Sequence, residues 1–397
     1  MPSPVNGAVP LREGATILIV HDFYRDHPPL PGGGQTEMNN IIPHLQRKGY
    51  EVVIMHPYEK KPSGKDFYKR IPYPTEPEFA MALTTPWSVR ERIRRIAPDA
   101  IFNSSLTGIA GTLGLFTRSA FKQEPLKVPQ TYSYTTRVDM NVDSRIEFIT
   151  RGLIKGLPRS FWERSIRRTY SGNTVLVPTQ RMGDRLISAG VPQEEIVIWK
   201  RGIDTTLFRP PFPGEKNVFE TYDWYHGEPH EKIFFYFGRV SPEKNIETFL
   251  RLDAGNAHKV VIGEGEMRGR LQSQFPEVHF LGAKYGEDLA RHVRFADLFV
   301  FPSTTDTWGL VVNEAAASGT PVVAFDVAGP GDAIISGATG ILVPQGGDLG
   351  SAIDSALALD RAICAQSVRE NFPTWSQVTE QLVKNLHQIN PATWQER

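Results

Sequence analysis

Short apolar runs alternate with longer amphipathic stretches along the whole chain. The runs in the first half are ATILIVHD, EVVIMHP, DAIFNSS, KVPQTYSY, TVLVPT and EIVIWKRG, and those in the second half are KIFFYFGRV, HKVVIGEG, VHFLGA, DLFVFPST, PVVAFD and GILVP. Runs with about four to eight apolar residues, separated by helical stretches, predict parallel strands that helices cover on both faces. Two such sets predict an α/β protein with two doubly wound, Rossmann-like domains.

A segment rich in Pro and Gly separates the two sets of strands. It extends from about residue 204 to residue 231 without periodicity and is predicted to be a linker. We expect a first domain at 1–205, a second domain at 206–374, and a helix within 375–397. Open parallel sheets bind ligands at the carboxyl ends of their strands, so the cleft between the domains is the expected functional site.

The composition predicts a globular protein of the cytoplasm. The chain has 397 residues, 40% apolar and 22% charged, and no apolar run reaches the ~18 residues of a membrane span. The start, MPSPVNGAVPLREGA, lacks the pattern of a secretory signal. The single cysteine, Cys364, lies in an apolar stretch and is predicted to be a buried thiol.

Charge is divided unevenly between the two halves. Residues 1–210 contain 29 Lys and Arg against 20 Asp and Glu, whereas residues 211–397 contain 15 against 24, which gives net charges of +9 and −9. The division suggests domains with different partners. A nucleic-acid partner is not expected, because the overall pI is only about 7.2.

One stretch, 151–170, is strongly basic. It contains six Lys and Arg and one Glu, with Phe161, Trp162 and Ile166 among them. Such a stretch is suited to contact with an anionic membrane surface, here the inner face of the membrane, or with an acidic acceptor. The alternative is a helix with a solvated basic face.

The stretch STTDTWGLVVNEAAASGTPVVAFD, residues 303–326, carries a candidate anion site. A predicted strand precedes it, and LVVNEAAAS has helical spacing up to Gly319, so the Trp-Gly-Leu turn should begin a helix. Unpaired backbone N–H groups at Trp308, Gly309 and Leu310 would then bind an anion without a charged side chain.

Two carboxylates flank this turn. Glu314 would accept hydrogen bonds from a ribose diol, and Asp306 would meet a second polyol. The alternative is that Asp306 caps the helix and Glu314 is a solvated helix residue. Residues 301–350 contain five acids and no Lys or Arg, so a partner must come from elsewhere in the fold or from a ligand.

The segment FGRVSPEKN, which follows the first strand of the second domain, supplies two cations. Arg239 and Lys244 are five residues apart across a Ser-Pro turn and are able to converge on one diphosphate, Arg as a fixed fork and Lys as a mobile charge. The alternative is that Arg239 pairs with Glu243 while Lys244 is solvated.

A run of glycines, Gly32, Gly33 and Gly34, follows the first strand and would allow backbone to approach a phosphate or sugar. It does not complete the dinucleotide fingerprint because residue 37 is Glu, so NAD is not expected and the run is otherwise a connecting loop. The sequence also lacks an Asp-x-Asp pair and a Cys cluster, so neither a metal nor another cofactor is predicted.

With these motifs the chain resembles the family 4 retaining glycosyltransferases of the GT-B fold. The resemblance is specific over most of 232–344, in FGRVSPEKN, VIGEGEMRGRL, VHFLGAKYGEDL, DLFVFPSTTDTWGLVVNEAAASGTPVVA and GPGDAI, and looser in the first half, in the glycine loop, SYTTR and WKRGIDTTLFRP. It is strongest toward the branch that contains GDP-mannose-dependent α-mannosyltransferases and sulfoquinovosyl-type transferases.

The resemblance implies a role for each candidate. Arg239 and Lys244 would hold the donor diphosphate, Glu314 the ribose, and the turn from Trp308 to Leu310 the sugar and phosphate. Gly33 and Gly34 would face the donor across the cleft, and the C-terminal helix would pack back on the first domain. The implied reaction is metal-independent transfer of a hexosyl group from a GDP- or UDP-sugar to a glycan, lipid or small-molecule hydroxyl.

Two positions depart from the family pattern. The family signature Glu-x7-Glu is Asp306-x7-Glu314 here, so the acid that would contact the sugar is one methylene shorter. Many relatives have His where this chain has Thr135 in SYTTR.

These departures leave alternatives open. A nucleotide-sugar epimerase would share the two-domain architecture and convert the donor without an acceptor. A non-catalytic protein would bind the sugar nucleotide without turnover, and an NAD-dependent oxidoreductase is disfavoured by the failed fingerprint.

Overall fold

The computed structural model describes residues 11–21, 33–55, 57–58, 68–72, 80–83, 86–104, 130–134 and 159–388. Gly32, Thr135 and the first part of the basic stretch, 151–158, therefore lie outside the described residues, as do residues 1–10 and 389–397.

The first domain is built on a parallel sheet of six strands. Its described elements in chain order are β1 (Thr16–Val20), α1 (Gly33–Arg47), β2 (Glu51–Met55), β3 (Pro57–Tyr58), β4 (Tyr68–Pro72), β5 (Ala80–Leu83), α2 (Pro86–Ile96), β6 (Ala100–Asn103), β7 (Thr131–Ser133), α3 (Arg159–Tyr170), β8 (Thr174–Val177), α4 (Gln180–Ser188) and β9 (Ile196–Ile198). The strand order is β2-β1-β6-β7-β8-β9, and every pairing in this sheet is parallel. A small sheet of β3, β4 and β5 lies outside it and was not predicted.

A second parallel sheet of six strands forms the other domain. Its elements are β10 (Ile233–Phe237), α5 (Ile246–Leu250), β11 (His258–Ile262), α6 (Arg268–Gln274), β12 (His279–Gly282), α7 (Gly286–Phe295), β13 (Leu298–Phe301), α8 (Leu310–Ala317), β14 (Val322–Asp326), α9 (Pro330–Ala333), β15 (Gly340–Pro344), α10 (Ile353–Leu357) and α11 (Arg361–Asn371). One further helix, α12 (Trp375–Asn385), follows them. The order is β12-β11-β10-β13-β14-β15, again with parallel pairings throughout. Each predicted apolar run contains one of the strands, so the predicted fold class of two doubly wound sheets is confirmed.

The segment predicted to be a linker, from about 204 to 231, is instead packed against the second domain. Phe208, Val218 and Phe219 are buried in the same hydrophobic cluster as Phe235 and Phe299 of the second sheet. Irregular segments have no repeating apolar spacing, so the sequence pattern gave no indication of this packing.

The C-terminal helix α12 leaves the second domain and packs on the first. Trp375, Val378 and Leu382 join the cluster that contains Ile17 and Met38. The indole N–H of Trp199 donates a hydrogen bond to the Val378 carbonyl at 3.0 Å. The chain therefore crosses between the two domains twice, once before β10 and once before α12. Buried Cys364 lies in α11, as predicted.

Candidate active site

The strand order of the second sheet indicates where a ligand would bind. In the second sheet the chain moves outward from β10 in one direction through β11 and β12, then restarts on the other side with β13. Such a switch point leaves a crevice at the carboxyl ends of the two central strands. The segments that follow β10 and β13 are those that carry Arg239 and Lys244, and Asp306 and Trp308. The sheet therefore brings the two candidate motifs together.

Lys244 and Asp306 form an ion pair at this switch point, and it involves both carboxylate oxygens. The Lys244 ammonium donates to both carboxylate oxygens of Asp306, at 2.7 and 2.8 Å, and each side chain is less than one-fifth exposed. Burial alone would raise the pKa of the Asp306 carboxyl, but the charge and hydrogen bonds of Lys244 outweigh it and hold the pKa below its ordinary value. Asp306 does not cap α8, since the N-cap residue of that helix is Gly309 and no side chain caps it.

Arg239 lies beside a second carboxylate of the same loop. Its Nη2 is 3.4 Å from Oε1 of Glu243, which also accepts a hydrogen bond from the Ser241 hydroxyl at 2.7 Å. Burial raises the pKa of Glu243, but the Arg239 charge prevails and the pKa is lowered. The predicted alternative is thus half right: Arg239 does meet Glu243, but Lys244 is not solvated. Both cations have anionic neighbours.

The turn from Trp308 to Leu310 begins α8 as predicted. Gly309 has a φ of 79°, and a Cβ there would lie 3.2 Å from Phe301 and from Val312, so both its conformation and its packing favour glycine. The Trp308 ring is buried against Phe372, with 5.8 Å between ring centroids. The Trp308 side chain therefore anchors the start of α8 in the core.

Glu314 is half-buried, and the negative charge of another acid, Asp204, acts on its carboxylate. Burial and the Asp204 charge raise the pKa of Glu314 to about 7. No side chain of the described residues is hydrogen-bonded to its carboxylate, whereas Asp204 accepts hydrogen bonds from the backbone of Thr206 and Leu207. Asp204 comes from the first crossing between the domains. Sequence motifs pointed to Glu314 as a candidate site residue but did not identify Asp204.

The first domain contributes a buried ion pair that the sequence did not identify. Oε2 of Glu37, on α1, lies 2.9 Å from Nη1 of Arg201, and both side chains are less than 5% exposed. Burial raises the pKa of Glu37, whereas the charge of Arg201 and its hydrogen bond favour the ionised carboxylate and oppose the shift. Gly33 and Gly34 are the first two residues of α1 and not a loop before it. Glu37 follows them by about one helical turn, and Gly34 lies against the buried imidazole of His21. Strong burial of the two partners leaves no mark on residue spacing, so sequence patterns could not reveal this pair.

The domain crossings pack tightly beside the site. The Ile203 N–H donates to the Pro373 carbonyl at 3.0 Å, which ties the two crossing segments together. Leu310, the first residue of α8, packs against the core clusters of both domains. The turn of the second domain is thereby placed next to α1 of the first.

Two more acids of residues 301–350 also pair with a residue that is distant in sequence. Arg181, on α4 of the first domain, lies 2.9 Å from Asp326 and 3.5 Å from Asp332. The prediction that the acids of 301–350 would find partners elsewhere in the fold is confirmed for these two and for Asp306. Arg181 thereby links the two domains.

Two features of the described residues bear on other kinds of site. Within that part of the chain, no three His, Cys, Asp or Glu side chains come together as a metal site requires. No described helix combines the length and apolar character needed to cross a membrane.

Two family models match the chain, one in each half. Residues 31–207 match the model described as Glycosyltransferase Family 4, and residues 218–372 match the model described as Glycosyl transferases group 1. The chain is 29% identical over 352 residues to a GDP-mannose-dependent alpha-mannosyltransferase of Mycobacterium tuberculosis, covering 84% of this chain and 85% of that protein. It is 27% identical over 401 residues to a sulfoquinovosyl transferase of Arabidopsis thaliana, covering 91% of this chain and 74% of that protein.

Solved structures share the two-domain arrangement. Sucrose-phosphate synthase from Thermosynechococcus elongatus has a TM-score of 0.70 at 18% identity, covering 94% of this chain and 97% of that one. HepE of Anabaena in complex with UDP-glucose has a TM-score of 0.61 at 16% identity, covering 93% of this chain and 98% of that one. At such identities the likeness establishes the fold alone.

Proposed function

The chain belongs to the glycosyltransferases of the GT-B fold, and from that membership we propose that it moves a hexosyl group from a GDP- or UDP-sugar to a hydroxyl of a glycan, lipid or small molecule. The proposed reaction retains the configuration at the transferred carbon and needs no metal ion. The observation that carries the proposal is the convergence of Arg239, Lys244 and the start of α8 at one switch point of the second sheet.

Cleavage of the sugar–phosphate bond leaves negative charge on the departing diphosphate. Arg239, Lys244 and the backbone N–H groups at Gly309 and Leu310 are positioned to stabilise that charge increasingly as the bond lengthens. They would do so only by exchanging partners, because Lys244 is bound to Asp306 and Arg239 lies beside Glu243. Phosphate oxygens would then take the place of carboxylate oxygens around the ammonium.

The rest of the donor follows from this anchor. Glu314 would accept hydrogen bonds from the ribose diol, since its carboxylate lies near the same turn and has no side-chain partner among the described residues. Gly33 and Gly34 would approach the donor from the first domain. The acceptor hydroxyl would attack on the face that the diphosphate leaves, and the departing phosphate oxygen would take its proton, which gives retention without a protein nucleophile.

The acceptor side is proposed to include contact with a membrane surface. Helix α3 carries exposed Arg164, Arg167 and Arg168, which form the described part of the basic stretch 151–170. Anionic phospholipid attracts such residues by about 1 kcal/mol each. Cosedimentation with vesicles rich in phosphatidylglycerol, compared with phosphatidylcholine alone, tests this. Loss of binding in the Arg164→Gln, Arg167→Gln, Arg168→Gln variant would support it, and equal binding to both lipids would refute it.

Nucleotide binding is the first test of the donor site. Thermal shifts in EDTA with GDP, UDP, ADP and NAD at equal concentration compare the bases, because a ligand that binds only the folded state raises the melting temperature. We expect a shift with GDP or UDP. A shift with NAD alone, or with none of them, would contradict the proposal.

Turnover separates transfer from its rivals. An epimerase would convert GDP-mannose or UDP-glucose without an acceptor, and its sugar product would still carry the nucleotide. A transferase releases the nucleotide in the presence of an acceptor, and NMR of the product reports the retained configuration. The named relatives are transferases, so the epimerase is the less favoured alternative.

A further inference from the structure

The ion pair between Glu37 and Arg201 has no part in the reaction as proposed so far. It lies at the carboxyl end of the first sheet, on the side covered by α1 and α12. Arg201 holds Oε2 of Glu37 at 2.9 Å, donates a hydrogen bond to the Ser133 hydroxyl at 3.4 Å, and stacks on the ring of Trp199 with 4.7 Å to its centroid. The guanidinium is thus fixed on three sides, and it fixes the carboxylate in turn.

The other carboxylate oxygen of Glu37 lacks a donor. Oε1 is buried, and no N–H or O–H group of the described residues is hydrogen-bonded to it. A buried acceptor left in this state costs about 1–3 kcal/mol, so such groups normally have a protein, water or ligand partner. A ligand that supplied a hydroxyl would remove this cost.

The position of Glu37 indicates which ligand that would be. The next residue along α1, Met38, belongs to the core cluster against which Leu310 packs. Leu310 is part of the turn proposed to hold the donor phosphate. The part of the donor that follows the phosphate is the hexosyl group, and it would meet the first domain at this end of α1.

The charge of the pair favours a neutral partner. Arg201 compensates the Glu37 carboxylate, so the pair adds no net charge beside the diphosphate. A lone carboxylate there would repel the donor, and a lone arginine would compete for its phosphates. The pair is therefore a neutral hydrogen-bond acceptor, and a sugar hydroxyl is a matching donor.

We propose that Oε1 of Glu37 accepts a hydrogen bond from a hydroxyl of the transferred hexosyl group, and that Arg201 is the positioning residue that holds the carboxylate in place. This inference rests on the proposed function, since it presupposes a sugar-nucleotide donor. It assigns a sugar contact to the first domain in a chain where Thr135 replaces the His of many relatives.

The test compares nucleotide with nucleotide sugar. Dissociation constants for GDP and GDP-mannose, and for UDP and UDP-glucose, are measured by titration calorimetry on the full chain. The variant is Glu37→Gln, which keeps the size of the side chain but removes its charge. The matched control is Asp99→Asn, because Asp99 is also buried and bound by an arginine, Arg12 at 3.2 Å, but at the opposite end of the same sheet.

We expect Glu37→Gln to weaken binding of the nucleotide sugar about tenfold or more, as for loss of a hydrogen bond to a charged group, and to change nucleotide binding less than about twofold. Asp99→Asn should leave both constants unchanged. Equal weakening of both ligands would indicate a purely structural role and overturn the inference, as would no weakening of either.

Two further outcomes are distinguishable. If the Glu37→Gln chain does not fold, Glu37→Asp keeps the charge for Arg201 but withdraws Oε1 by one methylene, and the same selective loss is expected. If the unaltered chain binds neither nucleotide nor nucleotide sugar, the proposed function itself fails, and this inference fails with it.

Discussion

The Lys244 ammonium lies 2.7 and 2.8 Å from the two carboxylate oxygens of Asp306, and the residues come from loops 62 positions apart in the chain. A glutamate at 306 would extend beyond the ammonium by one methylene, whereas the aspartate meets it directly. The shorter acid is therefore placed as a counter-ion that holds Lys244 at the switch point. The proposed donor diphosphate would therefore have to replace this carboxylate at Lys244.

The first prediction concerns the counter-ion. Asp306→Asn leaves the Lys244 charge uncompensated in a mostly buried position, so we expect the free energy of unfolding to fall by about 1–3 kcal/mol. GDP or UDP should bind more tightly than to the unaltered chain, because the diphosphate no longer competes with a carboxylate. Urea unfolding and calorimetry measure the two effects.

A control for this substitution is available on the surface of the same domain. Asp288→Asn removes the partner of Lys284, at 3.2 Å, where the aspartate is 58% exposed. Exposed pairs contribute little, so neither stability nor nucleotide binding should change appreciably. Weaker nucleotide binding by Asp306→Asn would show that Asp306 contacts the donor rather than restraining Lys244.

The second prediction concerns Lys244 itself. Lys244→Ala removes a cation that would stabilise the negative charge developing on the diphosphate. Transfer should therefore fall to background while the chain remains folded. Lys232→Ala is the matched control: it removes a lysine that pairs with Asp297 at 3.2 Å at the amino ends of the strands in the same sheet. Nucleotide release from GDP-mannose or UDP-glucose is the readout. Near-normal turnover in Lys244→Ala would remove this residue from the site.

Local sequence patterns encode the strands of the two large sheets but not the small sheet or the packing of residues 204–231. Buried parallel strands are continuous apolar runs, so all the strands of both large sheets could be predicted. Strands β3 to β5 could not, since Pro57–Tyr58 is too short to form a pattern and the antiparallel pair lies outside the main sheet. The segment 204–231 looked like a linker because its buried aromatic residues follow no period.

The site shows the same division. Residue types indicated that Arg239, Lys244 and the start of α8 suit a diphosphate, and the strand ends bring them to one switch point. Which residues pair depends on tertiary contacts. Lys244 binds Asp306, and Glu37 binds Arg201, which lies near the other end of the first domain's sequence. Candidate residues could be named from their chemistry, but their pairings required the fold.

The third prediction concerns pH. The pKa of Glu314 is raised to about 7, so its carboxylate becomes fully available to a ribose diol only above neutrality. Affinity for GDP-mannose or UDP-glucose should therefore rise from about pH 6 to about pH 8, and Glu314→Gln should remove most of this rise. Nucleotide sugars are the suitable ligands because their phosphates do not titrate in this range. An unchanged pH dependence in Glu314→Gln would refute the ribose role.

The same shift predicts a change in stability of the chain without nucleotide. Because the folded pKa of Glu314 lies above its unfolded value of 4.5, the folded state holds the proton more tightly. The stabilisation is complete below about pH 4.5 and is lost as the pH rises through about 7. Glu314→Gln should abolish this loss and raise stability at about pH 8 by on the order of 1–3 kcal/mol. Chemical unfolding at several pH values checks it; a variant less stable at high pH would contradict the prediction.

The last prediction concerns the crossing between the domains. Gly202 lies so close to Trp375 that a Cβ would stand 2.6 Å from the indole ring and 2.8 Å from the Trp375 Cα. Backbone is unable to yield as a flexible side chain does, so Gly202→Ala should lower the free energy of unfolding by about 2 kcal/mol or more. Gly269→Ala is the control: this glycine lies in α6 with no atom within 4 Å of its added Cβ, and alanine should stabilise the helix by about 0.5–1 kcal/mol. If Gly202→Ala were as stable as the unaltered chain, α12 would not be held against the first crossing as tightly as its contacts indicate.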